Sequence, residues 1–109
     1  MIMKNNQLEA KAINLAGLIQ CQDDSVVSRQ IIKKDSGSIT LFAFGKGQGL
    51  SEHTAPFEAV VSVLEGEAEV VISGTKHLVK KNQTIIMPAN IAHQIYAPVD
   101  FKMLLVMIR

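Results

Sequence analysis

Two stretches decide the reading of this chain: GQGLSEHTAPFEAVVSVLEG, Gly47–Gly66, and the segment that answers it further along, MPANIAH, Met87–His93. The first carries His53 on extended chain entering a turn at Pro56, then a strand, Ala59–Glu65, that ends in the tight turn Glu65-Gly66-Glu67. The second carries His93 just after a turn built on Pro88. With side chains alternating along a strand, Ala59, Val61 and Val63 share one face. Two imidazoles delivered by two turn-flanked segments read as halves of one site.

Working outward, the same short strands and polar turns continue in both directions. Downstream, Glu67–Ser73 puts Ala68, Val70 and Ile72 inward; His77–Lys80, Thr84–Met87, His93–Tyr96 and Phe101–Ile108 follow, with His93 and Ile95 on one face. Upstream, Val26–Lys34 and Ser38–Phe44 are joined by a hairpin turn at Lys34-Asp35-Ser36-Gly37. About nine strands with regular turns and little helix predict an all-β sandwich or barrel. Ser38–Phe44 sets Ile39, Leu41 and Ala43 on one side and Phe42 and Phe44 on the other, and Phe101–Ile108 is apolar on both faces. Such strands need cover on both faces, from a second layer or a second subunit, so a homodimer is expected. The apolar spacing of Leu8–Gln20 predicts a short amphipathic helix, and polar Met1–Gln7 is expected to fray. The expected layout is one domain over 1–109, with a polar tail and short helix at 1–25 and the barrel at 26–108.

Composition narrows the function classes. Lysine plus arginine total 11 against 10 for aspartate plus glutamate, and no basic run exceeds the pairs at Lys33 and Lys80. That gives no footprint for nucleic acid or an anionic membrane. No apolar run approaches the roughly 20 residues of a membrane span, and Met1–Gln20 lacks the pattern of a secretory leader. The single cysteine, Cys21, excludes an intrachain disulfide and has no general base beside it in sequence. A cytoplasmic protein is expected. The glycines of Gly45-Lys46-Gly47-Gln48-Gly49 are followed by extended chain rather than a helix, which argues against a phosphate cradle. His77, beside Lys76 in a hairpin, reads as a solvated surface histidine.

The spacing of the two opening segments resembles the two motifs of the cupin superfamily, of RmlC-like type. The first motif runs glycine, five residues, His-x-His, three or four residues, glutamate, six residues, glycine. Gly47, His53 and Gly66 match it; Ala55 stands at the second histidine position and Ala59 at the glutamate position. The second motif runs glycine, five residues, Pro-x-Gly, two residues, histidine, three residues, asparagine. Asn82, Pro88, Asn90, His93 and Ala97 occupy those places, Asn90 being a residue that tolerates positive φ. The resemblance implies a double-stranded β-helix, or jelly-roll, barrel with a short N-terminal helix ahead of it, and the two motif histidines close together in its mouth. In the family, a second histidine and a glutamate complete a site for iron, manganese, zinc, copper or nickel, which supports dioxygenases, isomerases and decarboxylases.

With two of those ligands replaced by alanine, the residues predict weak metal binding or none, because ligand number and a preorganised shell supply affinity. Small side chains at positions 55 and 59 predict a larger, more apolar cavity, lined by Ala55, Ala59, Val61, Val63, Met87, Ile95 and either Phe42 or Met103. His53 and His93 are its polar handles for a small molecule. The alternative is a metal-dependent enzyme with a relocated ligand set in which Glu58 joins His53 and His93. Glu58 is one residue off the glutamate position, so it should point away from Ala59's face unless a bulge re-aims it.

Overall fold

The computed structural model describes residues 7–109. The expected fraying of the polar start thus lies outside the described residues, apart from Gln7. Among the described residues there are nine strands: β1 (Val26–Lys34), β2 (Gly37–Phe44), β3 (Gly49–His53), β4 (Glu58–Glu65), β5 (Glu67–Ile72), β6 (Thr75–Lys80), β7 (Thr84–Met87), β8 (His93–Tyr96) and β9 (Phe101–Ile108). They form a five-stranded sheet in the order β1-β2-β9-β4-β7 and a four-stranded sheet in the order β3-β8-β5-β6. Every pairing is antiparallel. This is the expected jelly-roll: two sheets closed face to face, with most neighbours distant in sequence.

Alternation fixes which side chains meet. Along β4 the burial pattern puts Ala59, Val61 and Val63 inside, and along β5 it puts Ala68 and Val70 inside. These close on Phe44, Phe101 and Met103, all fully buried, with Phe44 and Phe101 stacked at 4.5 Å between ring centroids. The turn between β4 and β5 depends on Gly66, at φ 72°, where a Cβ would lie 2.2 Å from the Asp100 carbonyl oxygen. Only glycine fits so tight an approach in that conformation.

The second layer over β2 comes from the chain's own N-terminal segment. Leu41 and Ala43, on the outer face of β2, are fully buried with Ile19, against Leu15, Leu18, Cys21 and Leu104. The helix expected over Leu8–Gln20 is not formed; only a four-residue 3-10 turn, Leu15–Leu18, is present, between extended residues at Asn14 and Ile19. So short a run is marginal as a helix in water, and here it has no side-chain cap and holds Gly17 inside it. Its apolar residues instead pack irregularly onto the sheet. Lys102 ties this segment down: its ammonium donates to the Ala16 carbonyl oxygen at 2.7 Å and pairs with Glu65 at 3.4 Å, the residue being only 7% exposed.

Among the described residues, no second layer is packed over the rest of the outer face. One cross-strand row runs through all five strands as Ile32, Ile39, Val106, Val60 and Ile86. Ile32 and Ile86 at its ends are 41% and 59% exposed. Among the described residues, no helix is long and apolar enough to cross a membrane.

Candidate functional site

His53 and His93 come together because β3 and β8 are neighbours in the four-stranded sheet and the two residues are direct partners in register. Directly opposed residues of an antiparallel pair project to the same face. Alternation alone would have turned His53 away from Leu50, which also faces Ile95 across the same pair. A bulge between Leu50 and His53 inserts one extra residue and returns the imidazole to the inner face. Asn90, at φ 63°, shapes the turn before β8, and its amide N–H donates to the Ala55 carbonyl at 2.8 Å, holding the two motif segments against each other.

The imidazoles meet edge to face, ring centroids 4.4 Å apart, with Nε2 to Nε2 at 3.2 Å. The Nδ1 of His53 lies 2.8 Å from the Ser51 carbonyl oxygen, and the Nδ1 of His93 lies 3.2 Å from that of Ile91. A carbonyl can only accept, so the tautomer with hydrogen on Nδ1 suits both of these contacts and leaves each Nε2 an acceptor, whereas a hydrogen on one Nε2 would bond that ring to the other. In the Nδ1–H tautomer two acceptors face one another at hydrogen-bond distance. A hydroxyl arriving beside them donates its one hydrogen to one Nε2, and a single added proton is shared by both. His93 is 5% exposed, whereas His53 is open to solvent. Burial first, and the neighbouring His53 charge second, push the His93 imidazole below its ordinary pKa; the bond to Ile91 pulls the other way.

The cavity beneath the pair measures about 50 Å³. Ala55, Ala59, Met87 and Ile95 line it with both histidines, as the sequence suggested. Two expectations are corrected. The cavity is small rather than enlarged, because Phe57, Leu105 and Met107 occupy the room that the two alanines leave. Interiors pack closely, and methionine adapts to irregular gaps. Val61 is not on the wall: with Val63 and Met103 it is sealed in the core, and Phe42 does not reach the cavity either. Glu58 lies as alternation predicts: it is exposed and pairs in register with Ile108, one step from the Ala59–Met107 pair, so it points to the opposite face of β4 from the imidazoles and does not join them as the alternative ligand set requires. Alternation already placed Met107 and Leu105 on the inner face with Met103, and that is the signal by which they were findable.

The donor set bears on metal. The 3.2 Å separation lies between the spacings of adjacent octahedral and tetrahedral nitrogens at bonds of about 2.1 Å, roughly 3.0 and 3.4 Å. Two positions of a divalent shell are therefore available, but no carboxylate joins them. Among the described residues, no three His, Cys, Asp or Glu side chains gather as a metal site. The residues do not fit the family's full ligand set. His77 is exposed on β6, away from the cavity. The Cys21 thiol is half-buried, and burial, with Asp100, raises its pKa above the ordinary value, so it is a poor nucleophile.

Comparisons with known proteins agree with this geometry. The chain superimposes on a conserved protein of unknown function from Streptococcus pyogenes with a TM-score of 0.91 and 37% identity, covering 100% of this chain and 96% of that one. A cupin superfamily protein from Desulfitobacterium hafniense matches with a TM-score of 0.88 and 26% identity, over 98% of each chain. A cupin 2 conserved barrel domain protein from Leptotrichia buccalis matches at 0.87 and 36%, over 89% of this chain but 47% of that one. No curated protein matches. The family model described as the cupin domain covers residues 40–109, the span that holds both histidines and every strand from Thr40 onward, and the chain therefore belongs to the cupin family.

Proposed function

We propose that this cupin binds a small molecule whose hydrogen-bond-donating end, a hydroxyl or a protonated acid or amine, sits on the Nε2 atoms of His53 and His93. The observation that carries the reading is the 3.2 Å approach of the two Nε2 atoms, with a backbone carbonyl against the Nδ1 of each ring; in the tautomer those carbonyls favour, both Nε2 atoms are acceptors. His93 is 5% exposed, so water reaches its Nε2 poorly, and a ligand donor arriving there replaces a hydrogen bond that solvent supplies only from the His53 side. The apolar body of the ligand lies against Ala55, Ala59 and Met87. A cavity of about 50 Å³ is far below the roughly 300 Å³ of a drug-sized pocket, so the closed form admits a group of only a few atoms. The mouth at exposed His53 and half-buried Phe57 is where a larger ligand enters.

Two imidazoles alone hold a divalent ion such as Zn, Mn, Fe, Ni or Cu weakly, so metal is no resident cofactor in this reading. The test is binding of small alcohols followed on the histidine rings: His53→Ala and His93→Ala each remove it, and His77→Ala does not. Binding that survives both single changes contradicts the proposal.

The reading includes a homodimer, acting in the cytoplasm where a lone Cys21 stays reduced. Its support is the uncovered row on the five-stranded sheet, which is nearly self-complementary about its middle. A two-fold axis at Val106 would set Ile32 opposite the Ile86 of a second copy and Ile39 opposite its Val60, the isologous arrangement that a symmetric dimer requires.

A further inference from the structure

The inner face of the five-stranded sheet does not end at the histidine cavity. Ala59, Met107, Ser38 and Lys33 form one cross-strand row through β4, β9, β2 and β1, and Leu105, Thr40 and Gln30 form the row beside it. Along both rows the side chains change from apolar to polar, then to cationic or amide, over about 10 Å between β9 and β1 at the usual strand spacing. Over the polar end lies a recess of about 240 Å³, lined by Gln30, Lys33, Lys34, Ser38, Thr40 and Arg109. Phe57 and Met107 belong to the walls of both spaces, so the recess and the cavity are neighbours across a two-residue partition.

The charged side chains that line the recess are of one sign. No aspartate or glutamate lines it. Among the described residues, the ion pairs join Lys76 to Glu69 and Lys102 to Glu65, and neither involves Lys33, Lys34 or Arg109. The Arg109 guanidinium is held 4.6 Å from the centroid of the Phe57 ring, and its backbone N–H donates to the Ser36 carbonyl at 2.9 Å. Stacking on an aromatic face orients the guanidinium and leaves its N–H edge free for an acceptor. Gln30, Ser38 and Thr40 add neutral donors on the floor. Cations and donors in a concave site, with no acidic side chain among its lining residues, match the needs of a carboxylate or phosphate group.

We propose that this recess is the second half of the ligand site. It takes an oxyanion of the same small molecule whose donor end reaches His53 and His93, so the ligand class is a short amphipathic hydroxy acid or its phosphorylated counterpart. The inference rests on the imidazole reading above for its second half and on the recess alone for its first. Phe57, pinned under Arg109, is the partition that such a ligand displaces.

The experiment is an NMR titration of the full chain at low ionic strength with three probes: inorganic phosphate, acetate and 3-hydroxybutyrate. The backbone amides of Ser38, Thr40 and Arg109 report the recess, and the imidazole nitrogens report the cavity. Phosphate or acetate is expected to shift the recess amides saturably, the tighter of the two naming the oxyanion preferred. The double variant Lys33→Gln with Arg109→Gln is expected to weaken this by about tenfold or more, while Lys76→Gln leaves it unchanged. Because the recess is open to water, raising the salt should also weaken it. 3-Hydroxybutyrate should move the recess amides and both imidazoles together. Movement of the imidazoles to the same extent, and with the same affinity, in the double variant would overturn the recess while sparing the imidazole reading. Phosphate binding in the recess with imidazoles that 3-hydroxybutyrate leaves still would overturn the imidazole reading and the linkage, leaving an oxyanion site. Equal binding of all probes by the double variant and the unmodified protein would end the proposal.

Discussion

Met87 forms the inner wall of the histidine cavity, and its truncation shows what that wall contributes. The residue is 3% exposed, belongs to the main core, faces Ala59 across β7 and β4, and borders the cavity of about 50 Å³. Met87→Ala removes everything beyond Cβ. Losing that burial costs about 2 kcal/mol at ~0.8 kcal/mol for each methylene-sized group. A further ~24 cal/mol per Å³ applies to whatever void fails to collapse, and the overall range for such changes is about 2–5 kcal/mol. Because one side of Met87 already borders empty space, it gives up fewer contacts than a fully enclosed side chain, which places the expected loss near the lower end, about 2–3 kcal/mol. For a domain of this size that corresponds to a fall in Tm of roughly 10–20 °C. The void merges with the existing cavity below the imidazoles, so the variant should bind isobutanol more tightly than the unmodified protein does. Urea unfolding with and without isobutanol measures both effects, with isobutyl chloride as a match of similar shape that lacks the donor. Isobutanol should recover stability in proportion to its occupancy of the folded state, and isobutyl chloride should recover less. Adding His53→Ala should remove the difference between the two. A loss under about 0.5 kcal/mol would refute the packing argument, because that is the range of changes away from the core. Equal rescue by both compounds would refute the assignment of the imidazoles as acceptors.

Three further outcomes follow from the same structure. The His93 pKa is lowered in the folded protein, so the stability linked to it is fully present above the ordinary histidine value of about 6.5 and is lost as the pH falls through the lowered value. Urea midpoints should therefore decline on acidification below about pH 6.5, by no more than about 1.4 kcal/mol per pH unit for one proton, and His93→Gln should flatten that decline; an unchanged profile would rule His93 out as its source. Ala55→His with Ala59→Glu restores two metal ligands at the cost of a carboxylate placed at a position now 4% exposed, so the variant without metal should melt lower and regain stability with Zn or Mn, as measured by melting curves beside elemental analysis. Val106→Glu, at the centre of the uncovered row, should shift the protein from dimer to monomer in light scattering, and a clean monomer of the unmodified chain at micromolar concentration would remove the dimer altogether.

The parts of the fold that periodicity governs were legible. Alternation alone placed Ala59, Val61 and Val63 inside and Glu58 outside, and the turn chemistry at Gly66 and Asn90 matches their positive φ. What escaped depends on packing between distant segments. Whether the two alanines opened a large cavity was decided by Phe57, Leu105 and Met107, which come from other elements and fill the space. Val61 looked like cavity wall because it shares a face with Ala59, yet that face is continuous with the core, and only tertiary structure tells where the core ends. The bulge in β3 that aims His53 inward leaves no mark in Leu50-Ser51-Glu52-His53 that alternation can detect. In the N-terminal segment, apolar spacing suggested a helix, but the burial offered by Leu41 and Ala43 and the tie from Lys102 to Ala16 outweighed a weak helical propensity. That segment also changes the expected interface: Leu104 is covered by the chain itself, whereas Val106 is on the open row.

The long-range proton–nitrogen spectrum of the histidine rings, recorded at about pH 7.5 before and after adding 3-hydroxybutyrate, tests the central claim most directly. The account predicts that His53 and His93 both carry hydrogen on Nδ1 and a bare Nε2 in the free protein, and that both Nε2 signals move together and saturate as the hydroxyl is bound, while His77 stays still. A free protein with hydrogen on the Nε2 of either ring, or Nε2 signals that ignore the probe, would contradict it.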